Sequence, residues 1–259
     1  MKKKLNLHRF SDIFFPPKCL NCKEIIDKTD ENKVLCKACF QKFLTELEVS
    51  CPICEREYSL CICKPKTFVP DGFAYSLPYE EEEGISKRLL LSCKNKYNKA
   101  LLQMLSEHML CTAKKRNFPL ESCILTYVPR APEKFAMGGY DQAEELSRAF
   151  SKLTSLKRYR LLSHRPLTKE QKKLKASKRK GNAEKSYTLT HLKKKIYRKD
   201  ILLIDDILTT GATVNACTSL LKSAGAERVF CLTAAKNTRR ALFEAYNTEE
   251  KHNGEEDRN

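Results

Sequence analysis

The run Ile201-Leu-Leu-Ile-Asp-Asp-Ile-Leu-Thr-Thr-Gly-Ala-Thr213 constrains this chain more than any other. An apolar stretch that reads as a buried strand delivers two adjacent carboxylates, Asp205 and Asp206. A Thr-Thr-Gly-Ala-Thr turn then opens a helix. The first amides of a helix lack intrahelical partners and sit at the positive end of its dipole, so such a turn binds phosphate. Gly211 lets the backbone approach closely, and the hydroxyls of Thr209, Thr210 and Thr213 add donors around Ala212. Carboxylates ahead of an anion site do little for phosphate alone. They suit a sugar phosphate, whose hydroxyls donate to them. The plain alternative is a structural strand-to-helix turn with an N-cap threonine, and the paired acids weigh against it. Open parallel sheets bind ligands at the carboxyl ends of their strands, so the run also predicts a parallel α/β domain.

The flanking sequence agrees. Gly84 to Leu110 carries Ile85, Leu89, Leu90, Leu101, Leu102, Leu105 and Met109 at helical spacing, and Ile124 to Val128 reads as a strand ended by Pro129. Gln142 to Leu153 has a helical face of Ala143, Leu146, Ala149, Phe150 and Leu153. Tyr159 to Leu162 reads as a weaker strand, Val214 to Ala224 as a helix closed by Gly225, and Val229 to Thr233 as a further strand. Arg165 to Tyr187 is basic and without period, which predicts a long loop. Three regions follow: a cysteine-rich head over 1–70, an α/β domain over 71–245 and a disordered acidic tail over 246–259.

Eight of the 13 cysteines fall between Cys19 and Cys63. Cys19-Leu-Asn-Cys22 and Cys36-Lys-Ala-Cys39 are paired knuckles of the kind that offer four thiolates to a tetrahedral zinc. Cys51-Pro-Ile-Cys54 and Cys61-Ile-Cys63 supply a second set, with one residue fewer in the last knuckle. Whether the knuckles pair in sequence order or interleave stays open at this level, as does one zinc against two. A site closed by four thiolates has no open position for catalysis, so the expected role is to staple a head too small to build its own core. Nucleic-acid binding by the head is the alternative, since Lys18, Lys23, Lys33, Lys37 and Lys42 interleave with Glu24, Asp27, Asp30 and Glu31.

Charge points to phosphate-bearing partners: 49 Lys and Arg against 32 Asp and Glu give +17. Much of the excess lies in a basic segment containing Arg165, Lys172, Lys173, Lys178 and Arg179, beside the expected phosphate turn. A solvated loop is the ordinary reading of such a run. A hood over the sugar phosphate or a track for a nucleic-acid backbone is the functional one. His164 and His191 flank it and read as surface residues. No apolar run approaches the ~20 residues of a spanning helix. Nor do the opening residues carry the apolar stretch of about 7–15 that a secretory signal needs. The expectation is a cytoplasmic protein without a membrane span, in a compartment where clustered thiols bind metal rather than pair as disulfides.

The thirteen-residue run resembles the PRPP-binding motif of type I phosphoribosyltransferases. With the cysteine head, the chain resembles the ComF family of competence and DNA-utilisation proteins. The resemblance extends from about Cys19 to Asn237 and takes in Lys94, Val128-Pro129, Gly139-Tyr140-Asp141-Gln142-Ala143, and the spaced Gln171, Arg179 and Asn182. It implies that Asp205 and Asp206 hold the ribose hydroxyls, that Thr209, Thr210, Gly211, Ala212 and Thr213 grip the 5′-phosphate, and that Mg2+ neutralises the pyrophosphate. Pro129 and Arg130 then occupy the pyrophosphate loop. Gly138 and Asp141 stand where the family usually has arginine and asparagine, and Arg130 and Lys134 are the nearby cations that can take the arginine's place. A glutaminase domain of the amidophosphoribosyltransferase kind is not expected, because the sequence has no room for one.

Three functions follow from the resemblance. The first is a sugar-phosphate-binding protein serving uptake or handling of single-stranded DNA, with the DNA-uptake machinery as partner. The second is a Mg2+-dependent phosphoribosyltransferase acting on an unidentified acceptor. The third is a regulator in which PRPP occupancy, without turnover, switches nucleic-acid binding.

Overall fold

The computed structural model describes residues 16–27, 33–48, 50–51, 54–64, 68–79, 84–132, 139–165 and 186–237. Four parallel strands form the central sheet in the order β1-β6-β5-β2: β1 is Gly72–Tyr79, β2 Cys123–Tyr127, β5 Asp200–Leu208 and β6 Val229–Asn237. Burial on both faces explains why β5 and β6 are apolar almost throughout. Residues alternate between two cores. Leu202, Ile204 and Leu232 join one with α1 (Lys37–Glu48), α2 (Ile85–Asn95), α3 (Lys99–Lys115) and α4 (Gln142–Thr154). Ile201, Leu203 and Cys231 join the other with α5 (Ala212–Ser223). The expected parallel sheet flanked by helices is what the chain forms.

The cysteine head builds no separate core. Cys19, Ile26, Leu35 and Phe43 pack in the cluster that holds Leu89 and Leu101, while Cys51, Tyr58 and Cys61 pack with Phe73 and Tyr75. The single stretch expected over Gly84 to Leu110 is two helices, because Asn98 caps a new one by accepting the Leu101 N–H at 3.0 Å. The helix before Gly225 ends with that glycine at φ 91°, its N–H bonded to the Lys222 carbonyl and the Ala226 N–H to that of Leu221. A Cβ there would come 2.8 Å from the Tyr197 ring.

The strand expected over Tyr159 to Leu162 is a correction. Arg158 makes one isolated parallel bridge to Leu125, and the Thr126 hydroxyl then intercepts the Leu161 N–H. The chain leaves the sheet there. β3 (Leu162–His164) pairs antiparallel with β4 (Tyr187–Leu189), so Tyr187 belongs to a strand rather than to the loop. The intervening segment, with Gln171, Lys172, Lys173, Lys178, Arg179 and Asn182, lies outside the described residues, as do Lys134, Gly138 and the tail over 246–259.

Connectivity fixes where a ligand can enter. From β2 the chain crosses through α4 to the bridge at Arg158, outward from the sheet centre. From β5 it crosses through α5 to β6, in the opposite direction and over the opposite face. The order therefore reverses between β5 and β2, the kind of point at whose carboxyl ends open parallel sheets place their ligands.

Candidate functional site

β5 runs four residues beyond the expected Ile201–Ile204, carrying Asp205 and Asp206 inside the strand. Strand alternation sends them to opposite faces. Asp205 is buried on the α5 side, near Cys217 and Cys231; Asp206 is half-buried on the α4 side, near Cys93 and Asp141. The Asp206 amide donates to Asp205 Oδ1 at 2.9 Å and the Ile207 amide to Asp206 Oδ1 at 2.7 Å. Burial, followed by the adjacent Asp206 carboxylate, pushes the Asp205 carboxyl well above the usual range.

The turn follows directly. Thr209 and Thr210 are exposed, and Gly211 is buried at φ 77°, a left-handed conformation that favours glycine. Gly211, rather than a threonine, is the N-cap of α5. The Ala212 N–H donates to Thr210 Oγ1 at 3.4 Å, and the Asn215 N–H is the first to reach a backbone carbonyl, that of Gly211 at 2.8 Å. The amides ahead of it, from Ala212 to Val214, are those a helix start leaves without intrahelical partners. Tyr187 of β4 is buried beside Thr213, Asp205 and Cys217, and burial raises its phenol above the ordinary value.

The opposite wall is the turn after β2. The Val128 amide bonds to the Ile204 carbonyl, holding Pro129 and Arg130 against β5. The Arg130 amide donates to Asp141 Oδ2 at 2.6 Å, and its guanidinium to the Tyr140 carbonyl at 3.2 Å. Asp141 also caps α4, accepting the Glu144 N–H at 3.1 Å. Burial raises its carboxyl despite those two donors. This clamp was overlooked in the sequence, although Asp141-Gln-Ala-Glu144 has capping-box spacing. Gln142 is 5% exposed, and its Nε2 has no hydrogen-bond partner among the described residues. Lys94 is exposed on the last turn of α2. His191 is exposed, while His164 is half-buried and packs edge-on against Tyr187. Arg165 is exposed at the end of β3, its amide bonded to the Ser186 carbonyl.

The eight head cysteines separate in sequence order: Cys19, Cys22, Cys36 and Cys39 form one group, Cys51, Cys54, Cys61 and Cys63 the other. Within each, all Sγ atoms lie within 4.8 Å of one another, and none of the 13 cysteines is in a disulfide. Cys22 and Cys36 are 3.6 Å apart and Cys51 and Cys63 3.9 Å. Four sulfurs at ~2.3 Å from a tetrahedral zinc stand about 3.8 Å from one another, so both groups fit that ion. Burial opposes ionisation of Cys19 and Cys54, yet backbone amides of the knuckle turns bring them down to about 7 and about 6. Asn21 donates to Cys39 Sγ at 3.2 Å and accepts from Arg88 at 3.0 Å, linking the first group to α2. A zinc here would supply cross-linking and no open coordination position. Among the described residues, no helix is long and apolar enough to cross a membrane.

Comparison with known proteins agrees with this geometry. The phosphoribosyl transferase domain family matches residues 136–255. Competence protein F of Haemophilus influenzae is 30% identical over 92 residues, covering 35% of this chain and 40% of that protein's length. Competence protein ComFC of Streptococcus pneumoniae is 26% identical over 220 residues, 77% of this chain and 86% of that one. Among solved structures, the allosteric regulatory enzyme of purine biosynthesis aligns with a TM-score of 0.40 at 16% identity, over 57% of this chain and 30% of its own. A head of paired cysteine knuckles joined to a parallel α/β sheet, a match to the phosphoribosyl transferase domain and two competence proteins as relatives together make this chain similar to the ComF family of competence proteins.

Proposed function

We propose that the crevice between β5 and β2 binds a ribose 5-phosphate ester, with PRPP as the reference ligand. One observation carries the reading. The strand bearing Asp205 and Asp206 passes through a left-handed glycine into a helix start, at the point where the strand order reverses. In this reading Thr209, Thr210, Gly211, Ala212 and Thr213 hold the 5′-phosphate, and the half-buried Asp206 accepts from a ribose hydroxyl. The Pro129–Arg130 turn faces the pyrophosphate, whose charge Mg2+ offsets when bound. Zinc fills the two cysteine groups.

The protein's place in the cell, in this reading, is the cytoplasmic handling of single-stranded DNA during uptake or utilisation. The +17 charge and the names of the Haemophilus and Streptococcus relatives support it. Calorimetric titration of the full chain with PRPP and Mg2+ tests the pocket: saturable heat is expected, reduced at least about tenfold by Asp206→Ala. No heat, or equal heat from the variant, removes the assignment. DNA affinity should fall steeply as salt rises, and a flat salt response counts against the DNA role.

One contact favours a regulatory form of this function. Tyr187 lies beside Thr213, and the strand pair that carries it joins the two ends of the basic segment at Arg165 and Ser186. PRPP would then alter DNA affinity without being consumed. Pyrophosphate release above that of an Asp206→Ala control would identify an enzyme instead.

A further inference from the structure

The second cysteine group is buried against the sheet rather than displayed on the head. Cys51 and Cys61 are 2% and 1% exposed. Four thiolates around a zinc dication carry a net double negative charge, and with Cys51 and Cys61 buried and Cys54 and Cys63 half-buried water screens it only in part. Two side chains of the sheet approach it. Lys236 of β6 is 9% exposed and donates its ammonium to the Cys63 carbonyl oxygen. It lies over the rings of Tyr75 and Phe73 at 5.3 and 5.8 Å, and among the described residues no carboxylate pairs with it. Tyr75 of β1 is fully buried, its hydroxyl has no hydrogen-bond partner among the described residues, and Cys61, of the same buried core, lies beside it.

A buried cation without a counter-charge and a buried hydroxyl without an acceptor are each costly, and both sit at the same four sulfurs. We propose that Lys236 and Tyr75 complete the second metal centre from the sheet, the ammonium offsetting its charge and the hydroxyl donating to Cys61 Sγ. Strands β1 and β6 are then part of the metal site, which the head alone does not close. Lys236 is also the cross-strand neighbour of Leu208, the last strand residue before the phosphate turn. One side chain therefore ties the metal to the strand pair that supports the ligand crevice. The first group is built differently, reaching its cation Arg88 through the Asn21 amide.

The inference rests on the reading that zinc fills this cluster, and one experiment separates the two. Full-length protein purified with zinc is titrated with a chromophoric chelator, and the metal released is counted. Two zinc ions per wild-type chain are expected. Lys236→Met should release one of them about 10- to 100-fold more readily and leave the other unchanged, with Lys236→Arg restoring most of the difference. Tyr75→Phe removes a single oxygen, which keeps the test decisive if the lysine variant misfolds. With cobalt in place of zinc, it should move the thiolate-to-metal charge-transfer band to lower energy, because a sulfur that loses a donor holds its electrons less tightly. Release curves and cobalt spectra superimposable on wild type overturn the roles of Lys236 and Tyr75. A wild-type chain whose zinc content is unchanged by Cys51→Ala overturns the zinc reading itself.

Discussion

Ser86 gives both its backbone N–H and its hydroxyl to one oxygen of Glu46, each at 2.9 Å, while the other oxygen takes the Ile85 N–H at 2.6 Å. Helix α2 has Gly84 at its N-cap and no acidic residue in its first turn, so it cannot cap itself. A carboxylate from α1 does so instead, and sits favourably at the positive end of the dipole. Glu46→Ala is expected to cost about 1–2 kcal/mol, with Glu46→Gln recovering part of it. Urea melts of the three proteins measure this, and equal midpoints would show that the cap is immaterial.

Metal removal should reach well beyond the head. Cys19 and Cys39 share a core with Leu89, Leu101 and Phe150, so releasing their ligand exposes apolar surface that the α/β body also uses. A chelator should lower the melting temperature on the order of 10 °C, and Cys19→Ala should do the same where the exposed Cys111→Ala changes little. Coincident melts with and without chelator would exclude structural zinc.

What was legible in the sequence follows the strength of the local signal. Ile201 to Thr213 combines apolar burial, charge and a glycine in thirteen residues, and the strand, turn and helix all form there. The knuckle spacings likewise bring eight sulfurs into two groups, though sequence alone left their pairing open. β1 went unnamed because Pro78 lies within it, and an edge position is what lets a strand hold a proline. The break at Arg158 was invisible because it turns on a side chain, the Thr126 hydroxyl, competing for one amide. The pairings of Asp141, Tyr187 and Lys236 are not legible in the sequence for a related reason. Their partners, Arg130, Thr213 and Cys63, lie 11, 26 and 173 residues away, and no periodicity reports such pairs.

The turn glycine gives a test of the phosphate site that leaves the acids untouched. At φ 77° an L side chain costs about 1–2 kcal/mol, so Gly211→Ala should lower stability by about that amount. The first amides of α5 would also lose their orientation, and PRPP affinity should fall at least about tenfold. A variant that is destabilised yet binds PRPP as wild type does would move the phosphate elsewhere.

The Asp141 clamp offers a third probe of the crevice. Its two oxygens take the Arg130 and Glu144 amides, so an asparagine, with one acceptor, leaves one of them poorly served. Asp141→Asn should cost about 1 kcal/mol and weaken pyrophosphate-bearing ligands more than ribose 5-phosphate, since the turn it holds is the one proposed to face the pyrophosphate. Equal losses for the two ligands would separate Arg130 from that role.

Asp205 should make the protein less stable than it needs to be. Burial and Asp206 hold its carboxyl above the usual range, so the folded chain keeps a proton that the unfolded chain releases near the ordinary value of about 3.9. Between those two values the native state binds more protons than the unfolded state, and stability falls as pH rises. The contribution is whole below the ordinary carboxylate value and gone once pH passes the raised one. Asp205→Asn keeps an acceptor for the Asp206 amide and removes the charge. The variant should therefore melt a few degrees higher than wild type at pH 7–8 and about equally at pH 4. If the asparagine variant melts at or below wild type at pH 8, the carboxylate is not strained in its burial.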